Sequence, residues 1–286
     1  MTLAAVDLRS IASGRENEDR AGVEPPLAWV IDGATDVIQV PLTPAPTDAV
    51  WFATAMHDTV RGMAATPPPS LMDIPRIVAD RLAPLFLADA NRQPTGPEEH
   101  PSASAIVIRR TASGDLEFVS LGDCTLLVDD NGRFTEICDD EENAGDQWVV
   151  DALKDLSKDP AHQPKPMTRA DLYPLLRAQR GRMNTLSGYG IFSITDAPRP
   201  LIRHGTLPVS DGARILLASD GFMRLVDVFR LYDRRRLFEA AWSGGLAPLF
   251  DELRAREADD FDCTRFPRAK TSDDTTAILL RASPTA

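Results

Sequence analysis

The chain has 286 residues, with 43 acidic against 31 basic side chains and a formal net charge of −12. That balance argues against a nucleic-acid or anionic-membrane partner, while 43% hydrophobic residues suffice for a sizeable core. No run approaches the roughly 18 apolar residues of a membrane span. The start, Met1-Thr2-Leu3-Ala4-Ala5-Val6-Asp7, lacks a signal peptide's basic segment, and Cys124, Cys138 and Cys263 have no CxxC spacing. A cytoplasmic protein is expected, built as one domain over residues 1–286.

In chain order, Ala28-Trp29-Val30-Ile31 reads as a buried strand feeding a turn at Asp32-Gly33. Thr47 to Ala65 reads as a helix with Thr47 as N-cap. Ser70 to Asn91 reads as a second, with Ile74, Ile77, Val78, Leu82 and Leu85 on one face, and Pro84 is expected to bend or split it. Strand-like runs follow at 105–108, 116–121, 125–128 and 134–137, the last two joined by a hairpin signal at Asn131-Gly132. The polar, proline-rich stretch from about 140 to 205 is expected to be a flap or insertion. Runs 214–219 and 276–280 are strand-like, with helical segments at 222–229, 234–243 and 246–258 between them. This order favours an α+β fold with antiparallel sheets.

Carboxylates recur where apolar runs stop or turns begin: Glu16, Glu18 and Asp19 in 14–19, then Asp32-Gly33, Gly122-Asp123, Ser219-Asp220-Gly221 and Asp273-Asp274. Any one Asp-Gly after a strand is most simply turn chemistry. Several together reverse that balance, because carboxylates converging at one sheet end repel one another until a hard cation such as Mg²⁺ or Mn²⁺ joins them.

The ordered set Arg15-x-Asn17-Glu18-Asp19, Asp32-Gly33, Leu121-Gly122-Asp123, Ala218-Ser219-Asp220-Gly221 and Asp273-Asp274-x-Thr276 resembles the metal-dependent protein phosphatases (PPM, type 2C), most of all their compact bacterial branch. The resemblance spans residues 8 to 281. It implies a four-layer αββα sandwich of two antiparallel sheets with a binuclear Mn²⁺/Mg²⁺ centre at one edge. Asp32 would bridge two ions, the Gly33 carbonyl would join one coordination sphere, and Asp220 and Asp273 would hold one ion. Asp19 would lie near the metals, Glu18 would act through water, and Arg15 would grip the substrate phosphate. A guanidinium fork suits that last task on its own chemistry. A water bridging two cations would attack phosphorus in line, so no serine or cysteine nucleophile is required.

Three positions depart from the family's pattern. Ala34 occupies the place of a histidine that many relatives carry directly after Asp-Gly. Arg224 fills the acidic position four residues after Asp220, so a third ion near Asp123 is doubtful. Asp274 stands where the family more often has Asn. Asp36 reads as a solvated turn carboxylate, the histidines as packing or surface residues, and Cys124 as a small buried residue. The basic run 177–182 reads as a solvated helix face, or else as a contact for an anionic substrate. The resulting expectation is a monomeric phosphomonoesterase acting on phosphoserine and phosphothreonine in proteins. The alternatives are a catalytically inactive binding module on the same fold and a phosphatase of small metabolites.

Overall fold

The computed structural model describes residues 2–138 and 169–284. The acidic run 139–142, His162 and much of the expected 140–205 flap lie outside these residues. Among the described residues, eleven strands and six α-helices follow one another as β1 (Thr2–Ile11), β2 (Asp19–Glu24), β3 (Leu27–Gly33), α1 (Asp48–Met63), α2 (Ile74–Asp89), β4 (Ser102–Arg110), β5 (Leu116–Leu121), β6 (Thr125–Asp130), β7 (Arg133–Ile137), α3 (Arg169–Arg180), β8 (Phe192–Ser193), β9 (Arg203–Leu207), β10 (Arg214–Ala218), α4 (Asp220–Asp227), α5 (Arg234–Gly244), α6 (Ala247–Asp259) and β11 (Thr275–Ser283).

Alternate residues of the central strands face different layers, as the two-residue strand period dictates. Val30, Ile106, Ile108, Leu126, Val128, Ile215, Leu217 and Ile278 fill the space between the two sheets. Their neighbours Trp29, Ile31 and Val107 point the other way, onto Phe52, Met56, Leu82 and Phe86 of α1 and α2. Leu127, Leu216 and Leu279 pack on Phe222, Leu237, Phe238 and Leu253 of α4 to α6. Strands buried on both faces need cover on both sides, and the result is the αββα sandwich. One sheet runs β1-β11-β10-β6-β7 and the other β2-β3-β4-β5-β9, with β8 added on β4. The pairings are antiparallel throughout.

Local expectations hold in part. Thr47 caps α1, its hydroxyl accepting the Val50 N–H at 3.0 Å. Pro84 does not split α2, which runs unbroken from Ile74 to Asp89. Pro84 is exposed, so the Asp80 carbonyl that loses its partner is on the wet side, where water can satisfy it. Asn131 and Gly132 both take positive φ in the β6–β7 turn, as a tight hairpin demands. Strands β1, β2, β8 and β9 are additions to the sequence reading. β8 falls inside the range expected to be a flap and β9 overlaps its end, yet they pair with β4 and β5.

Candidate functional site

Antiparallel pairing brings the motif-bearing strand ends to one edge. Asp19, at the start of β2, is the register partner of Asp32 near the end of β3, and Asp32 is in turn opposite Ser104. β5 ends at Leu121 opposite Ala105, which brings Gly122-Asp123 alongside. In the second sheet Ala218 pairs with Ala277, so Ser219-Asp220 leaves β10 where Asp273-Asp274 enters β11. Ser219 joins the sheets: its hydroxyl donates to Asp19 Oδ2 at 2.9 Å and accepts the Thr276 N–H at 3.0 Å. Residues 200 positions apart thereby share one carboxylate.

The cluster is electrostatically unbalanced at its centre. Burial pushes the Asp19 carboxyl up to about 8, with Asp220 and Asp274 adding to the rise against hydrogen bonds from Thr276 and Ser219. Burial, then the charges of Asp19, Asp220 and Asp123, raise Asp32 well above the carboxylate range, and the nearness of its side chain to that of Asp220 adds to the rise. Asp19 Oδ1 is buried with no hydrogen-bond partner among the described residues. Asp273 behaves oppositely. Burial works against its charge, yet Lys270 at 2.8 Å and Arg224 at 2.6 Å hold it below its ordinary value.

The loop carrying Arg15 is fixed from behind. Asp274 accepts the backbone N–H groups of Ser13 at 2.7 Å and Glu18 at 2.5 Å. Asn17 Nδ2 donates to Ser10 Oγ at 2.9 Å, while its Oδ1 accepts the Asp19 N–H at 2.9 Å. Glu18 accepts the hydroxyls of Thr35 at 2.6 Å and Thr47 at 2.8 Å. Gly33 is required where it is, because a Cβ there would stand 2.6 Å from the Glu18 carbonyl oxygen. Arg15 itself is not drawn into the cluster; its side chain is 95% exposed, 3.8 Å from Glu16. Asp123 lies at the rim, its N–H donating to Ser104 Oγ at 3.3 Å.

Asp36 is no solvated turn residue. It accepts the Asp48 and Ala49 N–H groups at 2.8 and 3.2 Å, at the start of α1, and burial pushes its carboxyl up to about 6. Cys124 is fully buried in the inter-sheet core, and burial raises its thiol far from thiolate character. The basic run is partly engaged: Arg177 pairs with Glu98 at 2.7 Å, and Arg180 donates to the Thr35 carbonyl at 3.2 Å.

Beside the cluster opens a cleft of about 210 Å³, whose lining includes Thr35, Arg180, Asp220, Arg224, Lys270 and Asp273. Lys270 and Thr35 are functional candidates that the motifs did not reveal. One signal existed: Lys270 stands three positions before Asp273.

Asp19, Asp32 and Asp220 suit a divalent cation by donor chemistry, by mutual repulsion and by the bare buried oxygen of Asp19. Asp273 does not, in the arrangement it adopts, because both its oxygens meet protein cations. Among the described residues, no three His, Cys, Asp or Glu side chains already form a metal cage. No described helix is long and apolar enough to cross a membrane.

No protein-family model and no curated protein matches the sequence. Solved structures do match. The serine/threonine phosphatase PstP/Ppp of Mycobacterium tuberculosis is 15% identical, with 99% of this chain and 100% of that one covered at a TM-score of 0.60. The PstP catalytic domain in complex with two manganese ions matches at 15% identity and TM-score 0.55, over 99% of each chain. The PPM Ser-Thr phosphatase MsPP of Mycobacterium smegmatis, in complex with cacodylate, matches at 16% and 0.52, over 98% of this chain and 100% of that one. At such identities the likeness establishes the fold: this chain has the fold of the PPM Ser/Thr phosphatases.

Proposed function

We propose that the chain is a Mn²⁺- or Mg²⁺-dependent phosphomonoesterase of the PPM type, removing phosphate from phosphoserine and phosphothreonine in proteins. The observation that carries this reading is the meeting of Asp32 with Asp220, beside Asp19, at the edge of a PPM-fold sandwich. Asp19, Asp32, Asp220 and the Gly33 carbonyl would hold the cation. Once bound, the cation supplies a Lewis acid and lowers the pKa of a coordinated water.

The chain's own residues do the rest. Glu18, fixed by Thr35 and Thr47, orients water at the mouth of the cluster. Arg15, on a loop anchored by Asp274, meets the incoming phosphate and clamps two of its oxygens. Arg180 and Lys270 give the adjoining cleft the positive wall that a phosphoryl group needs. Ala34 carries no proton, so the leaving alkoxide takes its proton from water. Asp123 and Asp274 serve as rim and support, and the protein acts as a cytoplasmic monomer on phosphoprotein partners.

Comparing phosphoserine and phosphothreonine peptides with small phosphorylated metabolites, each with Mn²⁺ and after chelation, tests this reading. Cation-dependent turnover of the peptides is expected; turnover confined to metabolites would move the substrate class. A second reading, a non-catalytic phosphate- or metal-binding module, draws support from Ala34 and from the pairing of Asp273 with Arg224. Metal binding without turnover of any phosphoester would favour it.

A further inference from the structure

We propose that Lys270 is a built-in cation of the carboxylate cluster, its ammonium standing in for one divalent ion at Asp273, so that the site exchanges one Mn²⁺ or Mg²⁺ with solvent instead of the two the resemblance implies. The identity of the exchangeable ion rests on the phosphatase reading above; the remainder rests on geometry.

Both oxygens of Asp273 are engaged by protein cations. Lys270 Nζ donates to Oδ1 at 2.8 Å, and Arg224 Nη2 donates to Oδ2 at 2.6 Å. An ion binding Asp273 would have to displace a salt bridge and then sit beside the displaced positive charge, an arrangement Coulomb repulsion opposes. Neither cation hangs loose. Lys270 Nζ also donates to Thr35 Oγ1 at 3.0 Å, whose hydroxyl is in turn committed to Glu18. Arg224 is buried against Glu257 at 3.2 Å, and Arg254 backs Glu257 at 2.5 Å. Arg254 Nη2 donates to the Asp273 carbonyl at 2.9 Å as well, so backbone and side chain of Asp273 are both fixed to this group.

Lys270 and Arg224 also share the wall of the 210 Å³ cleft with Asp220 and Asp273. The ammonium therefore stands among the carboxylates that a second ion would need. Asp19, Asp32 and Asp220 remain for a single exchangeable ion, with Asp19 and Asp32 opposite one another in register and Asp220 on the wall of the adjoining cleft. A fixed monovalent charge on the cleft wall is also a feature that a phosphate could use directly, since a lysine ammonium offers a third donor after Asp273 and Thr35 are served.

Titrating the full chain with Mn²⁺ while following free Mn²⁺ by electron paramagnetic resonance tests this, using wild type, Lys270→Met and Lys270→Met combined with Arg224→Met. The wild type should saturate at one ion. Lys270→Met, or the double variant, should take up a second ion at least roughly tenfold more tightly than any second ion on wild type. Wild-type saturation at two ions, with the variants no different, overturns the inference and leaves the phosphatase reading standing. One ion on all three proteins also overturns it, because removing the protein cations then opens no site. Absence of Mn²⁺ binding on all three defeats both. Wild-type saturation at two ions overturns the inference without any variant, and where one variant fails to fold the other supplies the comparison.

Discussion

The Ser219 hydroxyl and the Asp19 carboxylate, 2.9 Å apart and from different sheets, form the fastener of the candidate site. Ser219 also accepts the Thr276 N–H at 3.0 Å, so its one oxygen serves both sides of the sandwich edge. Ser219→Ala leaves a buried carboxylate and a buried N–H without this partner. We expect a loss of about 1–3 kcal/mol in urea unfolding. Saturating Mn²⁺ should recover part of it, because the ion satisfies Asp19 directly. A change below about 0.5 kcal/mol would show that the fastener carries no weight.

Asp274 holds the 13–18 loop through two backbone N–H groups. Asn in its place has one acceptor oxygen for two donors. Asp274→Asn should therefore cost about 1 kcal/mol and accelerate amide exchange at Ser13 or Glu18. Unaltered exchange at both positions would contradict the anchoring role.

Arg15 separates binding from folding. Its side chain is 95% exposed, so Arg15→Ala should leave stability within about 0.5 kcal/mol of wild type. Its fork is proposed to meet the substrate phosphate, and kcat/KM on a phosphothreonine peptide should fall by roughly 10- to 100-fold. Equal kcat/KM values would remove Arg15 from the site.

Asp36 makes a pH prediction. Burial raises its folded-state pKa from 3.8 to about 6, so the folded chain holds this proton more tightly than the unfolded chain does. The stability it contributes is complete below about pH 4 and is lost as pH rises toward 6. Asp36→Asn cannot ionise. Relative to wild type, the variant should gain on the order of 1–2 kcal/mol in unfolding free energy between pH 4 and pH 7. A difference independent of pH would mean the carboxyl titrates normally.

Much of this was legible in the sequence, and the gaps have physical causes. Asp32, Asp220 and Asp273 were readable because strand ends and turns leave local marks, and an ordered series of such marks is specific. Their convergence was not readable from spacing; it follows from register, Asp19 opposite Asp32 and Ala218 opposite Ala277. Strand β1 escaped because a bulge between Ala5 and Asp7 shifts the alternation and leaves Val6 55% exposed. Strand β2, Asp-Arg-Ala-Gly-Val-Glu, looks like a polar turn; its Gly22 is needed because the Trp29 ring fills the space of a Cβ. Lys270 stands only three positions before Asp273, but its placement also depends on Thr35, 235 positions away, which local spacing does not show. Pro84 misled because the rule against helix prolines weakens where the orphaned carbonyl faces water.

The central claim, a cation-dependent phosphatase centred on Asp32, is tested most directly by phosphate release from a phosphothreonine peptide. Wild type and Asp32→Ala are compared with Mn²⁺ and after chelation, with the fold of each checked by circular dichroism. We expect turnover by wild type in Mn²⁺, none after chelation, and a loss of roughly 10³-fold or more in Asp32→Ala. Equal turnover by the two proteins, or equal inactivity of both with intact folds, would contradict it.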